Sequence, residues 1–237
     1  MKVGAIIAAA GFGRRMKADR PKQLLVLNGT PIIIHTIRKF AKNRQVSEII
    51  VALRKNETEG FLRQAESERF KKPLRVVEGG EHRQNSVANA LASLQASPDD
   101  IVLVHDAVRP FVNDEVIDGV IAAVQKYDAA IAGIPAIDTV KQVDRTSDGA
   151  VVLATVPREK MVLAQTPQGF RFGLLKNTFD EAIADGFLGT DEASLIERAG
   201  GSVHVVMGSP QNIKITTPRD MELAEFYLTQ ESRAKAS

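Results

Sequence analysis

Arg14, Arg15, Lys17, Arg20 and Lys22 crowd one short stretch, just after the small residues Ala8-Ala9-Ala10-Gly11 and a second glycine, Gly13. Cations so close together repel unless an anion sits among them. A solvated basic loop is the plainer reading. Against it stands the position directly behind an apolar run, Val3 to Ala8, that reads as a buried first strand. Ligands of open α/β sheets bind beyond the carboxyl ends of the strands. Gly11 and Gly13 begin like a dinucleotide fingerprint, but position 16 is Met, and no acidic residue waits about twenty residues on. Instead, Asn28-Gly29 reads as a turn. The P-loop pattern fails as well, since Gly13 is followed by Arg-Arg-Met. What is left is a glycine-rich backbone wrap with guanidinium and ammonium groups aimed into it, which suits a polyphosphate on which charge develops during reaction.

A second group of residues ends a later strand: His105, Asp106 and Arg109. Mg²⁺ commonly takes one or two carboxylates together with phosphate oxygens, so Asp106 is a candidate metal ligand. Pairing of Asp106 with Arg109 is the competing reading, and the spacing leaves both open. After Gly79-Gly80, the residues His82, Arg83 and Ser86 open a helix and turn a hydroxyl and backbone amides toward the same region. Asp138, Thr139, Lys141 and Arg158 fall at the two feet of an expected hairpin. Gln165-Thr166-Pro167-Gln168, Thr190-Asp191 and Asn212-Ile213-Lys214 fall at later element ends. The four histidines share no metal-ligand spacing, and His35 reads as a packing or surface residue. No Ser-His-Asp or Cys-His set is visible, so acyl transfer is disfavoured. Phosphoryl-type transfer needs positioning and charge neutralisation rather than a protein nucleophile, and this residue set fits it.

The elements that would position these groups alternate. Strands are expected at Val3 to Ala8, Ser47 to Leu53, Leu74 to Val77, Ile101 to His105 and Ala129 to Ile134. Between them, helical spacing runs after Thr30-Pro31, from Asn56 to Phe70, from Arg83 to Ala96, and after an Asn113 or Asp114 cap. That rhythm predicts a Rossmann-like, doubly wound, mostly parallel sheet in one domain covering 1–237. Between about 136 and 159 the rhythm breaks. Two extended runs flank an Asp-Gly turn and read as a β-hairpin, which is marginal in water unless it packs on something. An arm reaching a second subunit is the favoured reading, and an edge hairpin on its own domain the alternative. Later elements are a strand at Met161 to Ala164, a helix at Leu174 to Ala184, a Thr190-capped helix, strands at Ser202 to Met207 and Asn212 to Thr216, and a helix after Thr217-Pro218.

Composition sets outer bounds. The chain has 237 residues, 44% hydrophobic and 25% charged, with a formal net charge of +2 and no cysteine or tryptophan. A balance this near neutral argues against a nucleic-acid-coating protein. Without cysteine there is no disulfide framework, zinc–cysteine site or thiol nucleophile, and a reducing cytosol is allowed. No signal peptide and no membrane-length apolar run is expected.

Ala9 to Met16, Pro21-Lys22-Gln23, Gly79-Gly80 with Arg83 and Ser86, and His105 to Pro110 together resemble the methylerythritol phosphate cytidylyltransferase family. Asp138-Thr139, Thr155 to Arg158, Gln165 to Gln168, Thr190 to Ala193 and Asn212 to Lys214 extend the resemblance, in order, over nearly the whole chain. It implies a cytoplasmic, Mg²⁺-dependent homodimer that takes CTP and a sugar-alcohol phosphate, 2-C-methyl-D-erythritol 4-phosphate, and releases pyrophosphate. On this resemblance Arg15 and Lys22 stabilise the α-phosphate and the leaving group. Ala9, Ala10, Gly11, Phe12, Gly13, Gly80, Arg83 and Ser86 hold the nucleotide. Asp106 lies near Mg²⁺ and substrate, while Arg109, Thr190 and Lys214, with Thr139 and Arg158 of a partner's arm, position the sugar phosphate. The ribitol 5-phosphate cytidylyltransferases share several of these neighbourhoods, but they resemble Ala-Gly-Gly and Gly-Thr-Arg-Met where this chain has Ala9-Ala10-Gly11 and Arg14-Arg15-Met16. A non-catalytic nucleotide-binding module would leave the second set of cations idle.

Overall fold

A computed structural model describes residues 1–11 and 21–236, so Phe12, Gly13, Arg14, Arg15, Lys17 and Arg20 lie outside the described residues. In chain order the described elements are β1 (Val3–Ala8), β2 (Val26–Leu27), β3 (Thr30–Pro31), α1 (Ile32–Lys42), β4 (Glu48–Leu53) and α2 (Lys55–Glu68). They continue with β5 (Leu74–Glu78), α3 (Arg83–Ser93), β6 (Ile101–Asp106), α4 (Asp114–Tyr127), β7 (Ala129–Pro135), β8 (Val140–Thr146) and β9 (Gly149–Val156). The last are β10 (Val162–Arg171), α5 (Phe172–Ala184), α6 (Glu192–Arg198), β11 (His204–Met207) and α7 (Pro218–Ala236).

Among the described residues, seven strands form one sheet in the order β11-β7-β10-β6-β1-β4-β5, all parallel except β10. The chain winds outward from β1 through β4 to β5, then returns to lay β6 on the other side of β1. The carboxyl ends of β1 and β6 therefore flank a topological switch point, where such sheets bind ligands. Alternating side chains serve the two faces. Ala5 and Ile7 join Ile33, Ile37 and Phe40 of α1, Phe61 of α2 and Ile117 of α4 on one face. Ile6, with Val102 and Val104, joins Val87 of α3, Leu175 and Phe179 of α5 and Ile196 of α6 on the other. A smaller cluster ties α7 to the loop after β6 through Val108, Phe111, Ile215 and Ala224.

Several expected boundaries move, each for a physical reason. Thr30 and Pro31 do not start a helix by capping. They pair with β2 around Asn28-Gly29, both at positive φ (48° and 77°), which makes a tight hairpin before α1 begins at Ile32. Helix α3 stops at Ser93, not Ala96. The short strand expected at Met161 to Ala164 is a ten-residue strand, β10, running antiparallel between β6 and β7. Its register shifts between Ala164 and Gln168, where the Thr166–Pro167 bond is cis. Pro167 hides this strand in the sequence, because proline lacks the ladder donor and demotes a run. Thr190 is not the cap of α6; the Asp191 side chain accepts from Ser194 N instead. The stretch 212–216 is not a strand, and β11 begins at His204. The Thr217-Pro218 start is found, with Thr217 Oγ1 accepting from Asp220 N at 3.3 Å. The hairpin is found too, as β8 and β9, although Asp144 to Thr146 belong to its first strand.

Phe40 is fully buried, and its ring centroid lies 4.8 Å from that of His105 at the end of β6. Phe40→Ala should lower unfolding free energy by about 3–5 kcal/mol, the usual cost of truncating a buried phenylalanine. Urea titration of the two proteins checks this.

Candidate active site

At the switch point a cavity of about 310 Å³ is lined by Ala8, Ala9, Ala10 and Gly11 from the end of β1, Asp106 to Val108 from the end of β6, and Gly80 to Arg83. Lys22, Gln23, Arg54, Ser86 and Lys214 complete the wall. Of the expected nucleotide residues, Ala9, Ala10, Gly11, Gly80, Arg83, Ser86 and Asp106 are thus brought together, with Lys22 beside them. Arg109 reaches the site through its ion pair with Asp106. Thr139 and Arg158 do not line this cavity; Arg158 instead donates to Ile137 O at 2.8 Å within the hairpin's own foot. Thr190 is exposed, two residues from a side chain that does reach the site, Glu192.

The backbone wrap is braced from behind. Gln23 is buried and donates through Nε2 to Ala9 O; Arg54 donates through Nε to Ala10 O at 2.9 Å. Ser86 is buried too, and its hydroxyl accepts from Gly80 N at 3.1 Å and donates to His82 O at 3.0 Å. The sequence presents Ser86 as a ligand donor, whereas in the structure its hydroxyl holds the glycine turn. Side chains have no room there: one on Gly79 would collide with Ala10, and one on Gly80 with Asn85.

Asp106 is the charge centre of the site. It is buried, with Arg83 Nε 3.2 Å from Oδ1, and Lys214 Nζ at 2.8 Å and Arg109 Nε at 3.5 Å from Oδ2. Burial alone would raise its carboxyl, but Arg83, Lys214 and Arg109 together outweigh that and hold it well below the usual carboxylate range. The pairing reading of Asp106 is therefore realised, with two cations more than spacing suggested. Set against the carboxylates of Asp106 and Glu192, the three cations leave one net positive charge, with Arg83 and Lys214 lining the cavity. Among the described residues, Arg109 Nε is buried without a hydrogen-bond partner and meets Asp106 only as an ion pair at 3.5 Å.

Each cation has its own support. Arg83 NH1 meets both oxygens of Glu192, at 2.7 and 3.0 Å. Glu192 and Asp106 more than offset the burial penalty and raise the Arg83 guanidinium above its ordinary value. Arg109 NH1 donates to Asn212 O at 2.8 Å. Asn212 in turn donates to Thr166 O at 2.8 Å, and Ile215 N to Val108 O at 2.9 Å, so irregular backbone around Lys214 is fixed without a strand. Gln165 grips the same segment at Ser209 O and Ser209 N. The Gln165 to Gln168 motif thus supports the site from behind. Arg54 is absent from the sequence reading, and Gln23 and Glu192 enter it only as members of motifs, with no role of their own. Only the fold shows what the three side chains hold at the cavity.

Below Asp106, Arg109 O can only accept, so His105 Nε2, 3.1 Å away, carries the proton. Its Nδ1 then accepts from the Thr166 hydroxyl at 3.0 Å, and that oxygen accepts from Asp106 N at 3.1 Å. This tautomer follows from the partners and occupies both ring nitrogens of a neutral imidazole. Burial pushes the imidazole down to about 4. Among the described residues no group of three His, Cys, Asp or Glu could hold a metal ion by itself.

The family model described as 2-C-methyl-D-erythritol 4-phosphate cytidylyltransferase matches residues 3–230. A protein of that name from Acidobacterium capsulatum is 56% identical over 237 residues, spanning 98% of this chain and 99% of its own. Another of the same name, from Solibacter usitatus, is 50% identical and covers 98% of each chain. Among solved structures, the 2-C-methyl-D-erythritol 4-phosphate cytidylyltransferase of Francisella tularensis superposes with a TM-score of 0.81 at 38% identity, covering 95% of this chain and 99% of its own. The 4-diphosphocytidyl-2C-methyl-D-erythritol synthase of Anaerococcus prevotii gives 0.83 at 32% identity, with 96% of each chain covered.

The neutral, doubly bonded His105 predicts an acid-sensitive fold. The unfolded chain takes up the imidazole proton near 6.5, whereas the folded chain refuses it down to about 4. Stability is therefore full above pH 6.5 and falls as pH drops toward 4, by about 3 kcal/mol from this group. Urea midpoints of the metal-free protein across that range should show the fall, and His105→Gln, which cannot titrate, should lack this component.

Proposed function

The chain belongs to the 2-C-methyl-D-erythritol 4-phosphate cytidylyltransferase family, and we propose that the cavity at the β1–β6 switch point is where it carries out that family's reaction. The reaction transfers CMP from CTP to 2-C-methyl-D-erythritol 4-phosphate, giving 4-diphosphocytidyl-2-C-methyl-D-erythritol and pyrophosphate for isoprenoid precursors. The observation that carries this reading is the buried Asp106 ringed by Arg83, Arg109 and Lys214. A cavity with surplus cations and no nucleophile is built to hold phosphates and steady charge.

A phosphate oxygen of the alcohol phosphate attacks the α-phosphorus of CTP in line. The new P–O bond forms as the bond to the β-phosphate oxygen breaks, and its electrons leave with pyrophosphate. The backbone from Ala9 to Gly11, with Gly80 and Arg83, holds the nucleotide, and the bracing Gln23 and Arg54 keep that wrap in place before CTP arrives. Lys22 lines the cavity and would stabilise charge on the α-phosphate and the departing pyrophosphate, the role the family resemblance also gives Arg15. Arg109, Lys214 and Thr190 orient the alcohol phosphate. Asp106 fits a hard divalent cation, because strong cationic partners keep it ionised and a single carboxylate suffices when phosphate oxygens complete the shell. Bound there, Mg²⁺ would neutralise phosphate charge and help align the triphosphate.

Thr139 and Arg158 reach a site only in a dimer. Supporting this is the ribbon of β8 and β9, whose Val143, Val151, Val152 and Leu153 are all exposed. A two-stranded ribbon with apolar side chains in water calls for a covering surface, and a second copy supplies one while placing Thr139 and Arg158 over the partner's cavity.

Pyrophosphate release from CTP and Mg²⁺ should occur with 2-C-methyl-D-erythritol 4-phosphate. Turnover with ribitol 5-phosphate alone would move the assignment to that relative, and none with either would leave a binding module. Lys22→Ala should lower kcat by roughly 10²-fold, as for loss of one transition-state donor, and a loss confined to KM would contradict its role. Val152→Glu with Leu153→Glu should shift sedimentation from dimer to monomer. Arg158→Ala should weaken use of the alcohol phosphate more than binding of CTP.

A further inference from the structure

Glu192 opens α6 and is buried to 1% exposure, yet the reaction assigns it nothing. Its carboxylate takes Arg83 NH1 on both oxygens, while Arg83 Nε lies on Asp106. The neighbouring residue, Gln84, accepts from Gly189 N at 2.8 Å and donates to Phe187 O at 2.9 Å. The loop from Gly80 to Arg83 lines the nucleotide wall. The turn from Phe187 to Asp191 carries Thr190. The start of α3 is thus tied to the turn by two neutral links from Gln84 and to the first residue of α6 by the Arg83–Glu192 ion pair. Glu192 itself is held from the sheet: Gln168 on β10 donates to Asp191 Oδ2 at 2.7 Å and accepts from Ala193 N at 3.1 Å.

We propose that Glu192 is a positioning residue that couples the two substrate half-sites, acting through Arg83. This rests on the functional reading above. Asp106 is the shared neighbour of both halves. It meets Lys214 and Arg109 on one oxygen and Arg83 on the other. When phosphates and a cation enter, Asp106 must exchange partners, and without Glu192 the Arg83 guanidinium would follow the incoming anion or swing to solvent. Glu192 supplies a fixed opposite charge outside the reacting region. Arg83 therefore stays in register with the nucleotide, and the same ion pair keeps the Thr190 turn at a set distance from it. A buried polar network acts as one unit where its members are satisfied. Among the described residues, the buried side-chain atoms left without a partner are on Arg109 and Asn212, none on Arg83, Gln84 or Glu192.

The test is a double-substitution cycle on the full-length enzyme: Glu192→Gln, Arg83→Gln and the pair. Glu192→Gln keeps shape and removes the charge. Expected are a melting temperature near that of the wild type, KM values raised roughly tenfold for both CTP and the alcohol phosphate, and a double variant no worse than Arg83→Gln alone. Thr190→Val should raise KM for the alcohol phosphate only, which separates a contact to one substrate from coupling of two. Wild-type KM values for both substrates in Glu192→Gln overturn the proposal, as do additive losses in the pair. If Glu192→Gln melts far below the wild type, the neutral pair is decisive: a loss equal to that of Arg83→Gln supports coupling, and a larger one overturns it. Absence of pyrophosphate release in the wild type itself would fail the functional reading instead, so the two failures are distinguishable.

Discussion

One buried carboxylate organises this molecule's chemistry. Asp106 stands at the last residue of a central strand, with cations drawn from α3, from the loop after β6 and from the segment before α7. Three positive groups could not converge there without it, since each loses hydration and repels the others. The carboxylate could not remain ionised there without them. That mutual dependence makes the fold's long-range order a condition of the site. Residues 83, 106, 109 and 214 meet only if the sheet's crossovers, the α6 anchor and the α7 cluster are all formed.

Around this centre, side chains hydrogen-bonded to the chain itself hold the backbone and the cations that line the cavity. Gln23 and Arg54 fix carbonyls of the β1 wrap, Ser86 fixes the glycine turn, and Gln165 and Asn212 fix the backbone beneath Lys214. Their polar atoms are turned toward the chain itself, leaving backbone amides and cationic heads facing the cavity. This is preorganisation: the donors stand in place before charge develops, so little rearrangement is needed as it does.

Periodicity made the winding legible. Runs such as Ile49 to Leu53 are buried on both faces and alternate with helical stripes, which is the pattern a parallel sheet imposes. Position also made Asp106 legible, because strand ends face ligands in such sheets. Three things stayed hidden, for different reasons. Strand β10 contains a proline and a register shift, so its pattern is interrupted where it packs tightest. Thr190 and Asp191 are both good caps, and only the Gln168 contact to Asp191 selects between them. Glu192 reads as an ordinary acidic residue in a helix's first turn; its partner lies 109 positions away, beyond any local signal.

The reversed direction of β10 has a geometric outcome of its own. In a purely parallel arrangement, the chain leaving β7 would have to cross back over the sheet before pairing again. Here Pro135 pairs with Val162, so everything between them exits and re-enters along the ligand-facing edge without a crossover. That excursion is free of the packed layers. Two matched residues added to β8 and two to β9 would lengthen its reach by about 7 Å at ~3.4 Å per residue while preserving which side chains face which way. The span of the ribbon can therefore drift over generations independently of the core that anchors it.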